Sequence, residues 1–300
     1  MKWRGRGSGG RIEDRRGAGG GLGGGGMPFP IPMGRAGGGG LGTILIIVLF
    51  LVLSRGCGGA SGFPVDPGTG AFPQAPSAGQ SSDLERTPSD DAGAFVDFVA
   101  GDVDAVWKRL FAESGKTYEQ PVVVLYEQGV QSGCGTTSSQ VGPFYCPLDR
   151  KVYLDLTFME QLQQRLGAEG DFARAYIVAH ETGHHVQNLL GVMEDVDRAR
   201  QEDPGTANEL SVRLELQADC LAGIWAYSAY RQADLLEQGD LEEGLNAAAA
   251  VGDDRIQKGA GRQVDPDSFT HGTGEQRVTW FKKGFESGDP TSCDTFAGDI

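Results

Sequence analysis

The residues best equipped for chemistry stand in one short run, HETGHH, beginning at His180. Residues four apart on an α-helix share a face, so His180 and His184 can turn their imidazoles toward one metal ion. Glu181 is rotated from them by about 100° around the helix. From there its carboxylate reaches a water on that ion without occupying the ion itself. The competing reading is a pair of helix histidines that merely satisfy hydrogen bonds. Phe172, Tyr176, Ile177, Val178, Val186, Leu189 and Leu190 make the surrounding segment apolar on nearly every side, which places its helix inside the domain. Two histidines and a glutamate are costly to desolvate there without a shared partner, and a divalent cation supplies one.

A catalytic zinc ion takes three protein ligands and leaves one position open. The extended pattern HExxHxxGxxH fails here, because Gln187 and Leu190 stand where Gly and His would be required. A carboxylate is therefore the better third ligand. In LELQADCLAG, Glu215 and Asp219 are four apart among Leu214, Leu216, Ala218, Leu221 and Ala222. Glu215 is expected to ligate, ahead of Glu194, Glu202 and Glu209. Asp219 is expected to accept the second ring N–H of a ligand histidine and so fix its tautomer. An exposed pair of helix acids is the bland alternative. His185 points away from His184 and reads as a supporting or packing residue. His271, in FTHGTGEQRVTWF, lies in a Gly-containing turn before a helix, either as a donor to the oxyanion of a tetrahedral intermediate or as an ordinary loop histidine. Tyr153 and Tyr145 stand next in line for the donor role.

These residues need elements to hold them. DAGAFVDFVAGDVDAVWKRLFAESG has apolar residues at helical spacing, PVVVLYE reads as a buried strand, and KVYLDLTF alternates as a strand with one buried face. Helices are expected over 171–190, 207–230, 241–257 and 274–285. Strands followed by helices indicate an α+β domain of roughly 200 residues.

No charge falls between Arg35 and Arg55, and LGTILIIVLFLVL occupies the middle of that stretch. The expected organisation is a basic, Gly-rich cytoplasmic N-terminus over 1–36, a transmembrane helix over 37–54, a flexible Gly/Pro/Ser-rich linker over 55–90 and an extracytoplasmic domain over 91–300. A cleaved signal peptide is the rival reading of the apolar segment. Residues 1–56 carry eight Lys or Arg against two acids, so the rest of the chain holds −21 against a whole-chain −15. The charge bias orients the span, and the acidity disfavours nucleic acid as a partner. Four of the five cysteines lie in the domain. Cys134 with Cys146 and Cys220 with Cys293 are the expected disulfides of an oxidising compartment. A Cys-rich zinc site is disfavoured because no C-x-x-C occurs. Cys57 is left over, with lipidation disfavoured by Arg55 just before it.

In HETGHHVQNLLG, ELQADCLAG and HGTGEQRVTWF the chain resembles the bacterial neutral zinc metallopeptidases, a family of single-span membrane proteins. The likeness extends to MKWRGRG and EDRRG near the N-terminus, to GPFYCPLDRKVYLDLTF and to the final CDTF. It implies a zincin-type fold, with an edge strand lining a cleft and an active-site helix below it. It implies Zn2+ on His180 and His184, catalysis by Glu181, and Glu215 in the third-ligand position of glutamate zincins. The expected function is hydrolysis of peptide or protein substrates by a membrane-anchored enzyme, through a water on the metal that Glu181 activates. The substrate would lie extended along the strand near Val152 to Leu156. The alternative is a zinc-stabilised, membrane-tethered module that binds peptides or envelope partners without cutting them.

Overall fold

The computed structural model describes residues 1–7, 9–17, 88, 90–127, 129–138, 142–159 and 170–300. The proposed membrane helix, most of the linker and Cys57 lie outside the described residues. No helix among the described residues is long and apolar enough to cross a membrane.

A four-stranded sheet carries the architecture, in the order β1 (Arg11–Asp14), β2 (Val122–Tyr126), β6 (Lys151–Asp155) and β5 (Phe144–Cys146). The first three strands are parallel and β5 runs antiparallel to β6. Between β2 and β5 the chain makes a separate antiparallel hairpin, β3 (Gly129–Ser132) with β4 (Gly135–Ser138). Side chains alternate across the sheet with period two. Val123, Leu125, Val152, Leu154 and Tyr145 pack with the helices, while Val124, Tyr126, Cys146 and Tyr153 pack on the other face with Val130 of the hairpin. Both faces of β6 are therefore covered, and the expectation of one buried face is corrected: Val152, Tyr153, Leu154 and Asp155 are all buried. The hairpin was hidden in the cysteine loop.

The helices are α1 (Asp91–Glu113), α2 (Asp171–Leu189), α3 (Val192–Glu202), α4 (Ala207–Arg231), α5 (Asp240–Ala250), α6 (Asp253–Gly259) and α7 (Gly274–Ser287). Asp90 caps α1 by accepting from the Gly93 amide, and α7 opens on a capping box between Thr273 and Gln276. The helix expected over 241–257 is two helices. Gly252 sits between them, and a Cβ there would lie 2.1 Å from the Gly274 nitrogen, so the chain turns where it meets the start of α7. α2 is buried on every side from Phe172 to Gln187 apart from Arg174, as its apolar sequence requires.

Close helix crossings depend on missing side chains. A Cβ on Gly183 would come 3.0 Å from the Ala218 carbonyl oxygen, so this glycine lets α2 and α4 meet at the level of the HETGHH turn. The α4–α7 crossing is tighter. A Cβ on Gly223 would lie 2.1 Å from the Phe281 oxygen, and one on Gly284 2.0 Å from the Cys220 oxygen. Disulfides join Cys134 to Cys146 and Cys220 to Cys293, the first tying the hairpin to β5 and the second pinning the C-terminal 3-10 turn to α4.

One boundary differs from expectation. Residues 1–17 belong to the same compact unit as the domain. β1 pairs with β2 from Arg11↔Val122 to Asp14↔Leu125, Ile12 is buried, Trp3 packs edge-on against Phe95 at 5.3 Å, and the Gly10 amide donates to Asp97. The domain thus does not begin at residue 91. β1 is a hydrogen-bonded strand of the domain's own sheet.

Candidate metal centre and active site

α2 and α4 cross so that His180, His184 and Glu215 converge, with one donor atom from each within 4.8 Å of the others. His180 Nε2 lies 3.2 Å from Glu215 Oε2, and His184 Nε2 lies 3.4 Å from Glu215 Oε1. One carboxylate therefore bridges two imidazole nitrogens across a gap that suits a cation. Glu194 and Glu202 of α3 are exposed, and Glu209 pairs with Arg213 at the surface.

Each imidazole is held by its other nitrogen. His180 Nδ1 donates to Asp219 Oδ1 at 2.9 Å, the geometry expected of Asp219. His184 Nδ1 lies 2.8 Å from Gln187 Oε1. The orientation of that amide follows from its far side, where Gln187 Nε2 donates to the Leu214 carbonyl at 2.7 Å and to Gln217. Oε1 must then face the ring and accept, which leaves both Nε2 lone pairs directed at Glu215. In the sequence Gln187 is visible only as the residue that breaks a longer histidine motif.

Arg277 was not singled out in the sequence. From α7 its Nε donates to Asp219 Oδ2 at 2.8 Å and its Nη2 to Asp219 Oδ1 at 3.0 Å, with Tyr176 donating to the same Oδ1. The guanidinium is buried and lies 3.8 Å from Glu215. Its only advance signal was position, since it lies within the HGTGEQRVTWF segment.

Electrostatics fit a cation. Burial would lower the His180 pKa, yet Asp219 and Glu215 outweigh it and push it up to about 10. Burial would raise Glu215 and Asp219, yet His184 and His180 hold Glu215 well below its ordinary value, while Arg277 and His180 hold Asp219 below its own. The cluster gathers positive charge onto itself, and a divalent ion supplies that charge in place of protons. Two imidazoles and a carboxylate, each with its supporting partner, form a donor set that zinc accepts.

Glu181 differs from Glu215. It makes no hydrogen bond among the described residues, and burial raises its pKa against the pull of His184 and His180. It is a carboxylate able to take up a proton, next to the three converging donors but not one of them.

His271 is not in the loose turn its sequence suggested. Asp253, the first residue of α6, accepts the amides of Thr270, His271 and Gly272 on Oδ2, and its Oδ1 lies 3.2 Å from His271 Nδ1. Burial would lower the His271 pKa, but Asp253 and the nearby Glu215 raise it. The two fallback oxyanion donors are otherwise engaged. Tyr153 donates to Asp149 at 2.6 Å on the far face of the sheet, and Tyr145 bonds to His185 and Asn188.

Over residues 1–296 the chain matches the family described as "Putative neutral zinc metallopeptidase". The chain belongs to this family. Its relatives include "Uncharacterized protein YpfJ" of Escherichia coli (strain K12), 48% identical over 234 residues, which is 77% of this chain and 81% of the relative. "Uncharacterized protein Rv2575" of Mycobacterium tuberculosis (strain ATCC 25618 / H37Rv) is 46% identical over 221 residues, 69% of this chain and 73% of its own. No solved structure matches the chain significantly. Zinc is the metal of this metallopeptidase family, and the His-His-Glu cluster is a site able to hold it.

Proposed function

We propose that the chain is a zinc-dependent peptidase of zincin-like design that hydrolyses a peptide bond within an extended segment. The observation that carries this reading is Glu181, an uncommitted carboxylate with a raised pKa beside three converging metal donors. A purely structural metal site has no use for such a group.

When bound, zinc polarises a scissile carbonyl and acidifies a water. His180, His184 and Glu215 would hold it, with Asp219 and Gln187 keeping the two rings turned inward. Arg277 keeps Asp219 ionised and pointed at His180. Glu181 takes the proton of the attacking water and returns it to the leaving amine. His271, clamped by Asp253, donates to the oxygen on which negative charge develops.

The substrate strand needs a free sheet edge. β6 lies between β2 and β5, so the expectation that peptides pair along Val152 to Leu156 is corrected. The edge nearest α2 is β5, and an extended peptide adds to Phe144–Cys146 instead. We place the domain outside the cytoplasm, where both disulfides persist, and retain membrane attachment through 37–54 as a proposal.

The test is cleavage of a mixed peptide library by the full chain, stopped by a chelator and restored by zinc. Peptides retained without cleavage would instead favour the zinc-stabilised binding module.

A further inference from the structure

His185 follows the second metal-binding histidine, yet its ring turns away from the metal cluster. It is buried, and its Nε2 lies 2.6 Å from the Glu119 backbone oxygen. A carbonyl only accepts, so Nε2 carries the proton and Nδ1 of the neutral ring is an acceptor. Tyr145, 3.0 Å away, must then donate its hydroxyl hydrogen to Nδ1, and its oxygen accepts from Asn188 Nδ2 at 2.8 Å. The bonds run in one direction: Asn188 to Tyr145 to His185 to Glu119. Both ring nitrogens of His185 and the Tyr145 hydroxyl are thus partnered.

The relay joins three parts of the fold. His185 and Asn188 lie on α2, Glu119 precedes β2, and Tyr145 is the middle residue of β5. Among the described residues β5 has a strand on one side only, and it is three residues long, so pairing with β6 alone holds it weakly. Its alternation supplies the remaining restraints. Phe144 stacks on Tyr153 at 4.7 Å and Cys146 is disulfide-bonded on the upper face, while Tyr145 alone points down to the active-site helix.

We propose that Tyr145 and His185 form a positioning pair, with Asn188 in support, that sets the height of β5 above α2 and hence the placement of a β5-bound peptide over the metal. The pair does not touch the reacting atoms. A peptide bond displaced by about 1 Å from its productive position loses much of the benefit of being bound. This inference rests on the reading of β5 as the peptide-binding edge.

Two probes separate the pair from the site it serves. Acetohydroxamate can bind zinc but offers no strand, whereas a tetrapeptide hydroxamate can also lie along β5. Wild-type protein loaded with zinc should bind the peptide probe more tightly by at least about tenfold. Tyr145→Phe and, independently, Asn188→Ala should lose roughly three- to tenfold of that gain, the scale of a lost hydrogen bond. Zinc content and acetohydroxamate affinity should stay at wild-type values. Asn188 is half-buried at the end of α2, so its variant guards against misfolding of the tyrosine variant. An undiminished gain in both variants overturns the proposal, as does loss of zinc together with both probes. If the wild type shows no gain from the peptide, β5 is not the binding edge, and that reading fails along with the pair.

Discussion

Around the metal cluster, binding and orienting are divided among different side chains. Glu215→Ala removes one of the three proposed ligands and should strip zinc from the protein on dialysis, whereas Glu209→Ala, out at the surface, should leave metal content unchanged. Gln187→Leu keeps the ligands but removes the acceptor of the His184 Nδ1 proton. Its zinc affinity should fall about 10- to 100-fold in a competitive chelator titration, the usual loss for such supporting partners. His271→Ala should keep its zinc and lower kcat by about 10² to 10³, with KM changing much less because the contact strengthens only as charge develops. Unchanged kcat would return His271 to the role of a loop residue. The convergence of His180 and His184 with Glu215, and the meeting of Asp219 with His180, were legible because spacing at i and i+4 is written directly in sequence. Gln187, Asp253 and Arg277 were not, because each acts through a contact that only the fold creates. Asp219 and Arg277, for instance, are 58 residues apart.

Among the elements, the long helices and the two strands richest in branched residues could be read from periodicity. The edges could not. β5 is too short to show a pattern, and β6 looked half-buried because nothing in its own sequence reveals a hairpin on its far face. Elements are also joined by polar groups that carry a pH signature. Asp104 of α1 accepts from Tyr118 at 2.6 Å, just before β2, and burial pushes its pKa up to about 7 against hydrogen bonds from Tyr118 and Gln120. The folded state thus holds this proton up to about pH 7, whereas the ordinary value is 3.8. Its contribution to stability is full below the ordinary value and is lost as pH rises through about 7. Asp104→Asn removes that titration. The variant should gain on the wild type as pH rises from 5 to 8, reaching an advantage of about 1–3 kcal/mol in denaturant unfolding. An advantage that stays constant with pH would show that Asp104 does not titrate in this range.

At the scale of the molecule, the N-terminal strand changes the topology. Sequence charge alone placed Arg4, Arg6 and Arg11 across a membrane from the domain. β1 instead pairs with β2 in the sheet of the domain, and we propose that it lies on the same side of any bilayer as that domain. Composition could not reveal this, because a four-residue strand in a Gly- and Arg-rich segment carries almost no hydrophobic signal. The prediction is direct. In a Cys57→Ser background, Gly7→Cys and Lys108→Cys each place a thiol at an exposed position. Both should react equally with a membrane-impermeant maleimide in intact spheroplasts. Labelling of Lys108→Cys alone, with Gly7→Cys reacting only after permeabilisation, would mean that β1 is not part of the sheet in the cell.

In the proposed mechanism Glu181 is the proton-transferring carboxylate of a zinc peptidase. Glu181→Gln preserves the size of the side chain and none of the metal donors is altered. Zinc content and peptide turnover should therefore be measured on the same preparation of this variant and of the wild type. Zinc should be equal in the two proteins, and turnover should fall by about 10² to 10⁴, the range for a lost general base. Turnover equal to wild type, or loss of zinc in parallel with activity, would contradict that role.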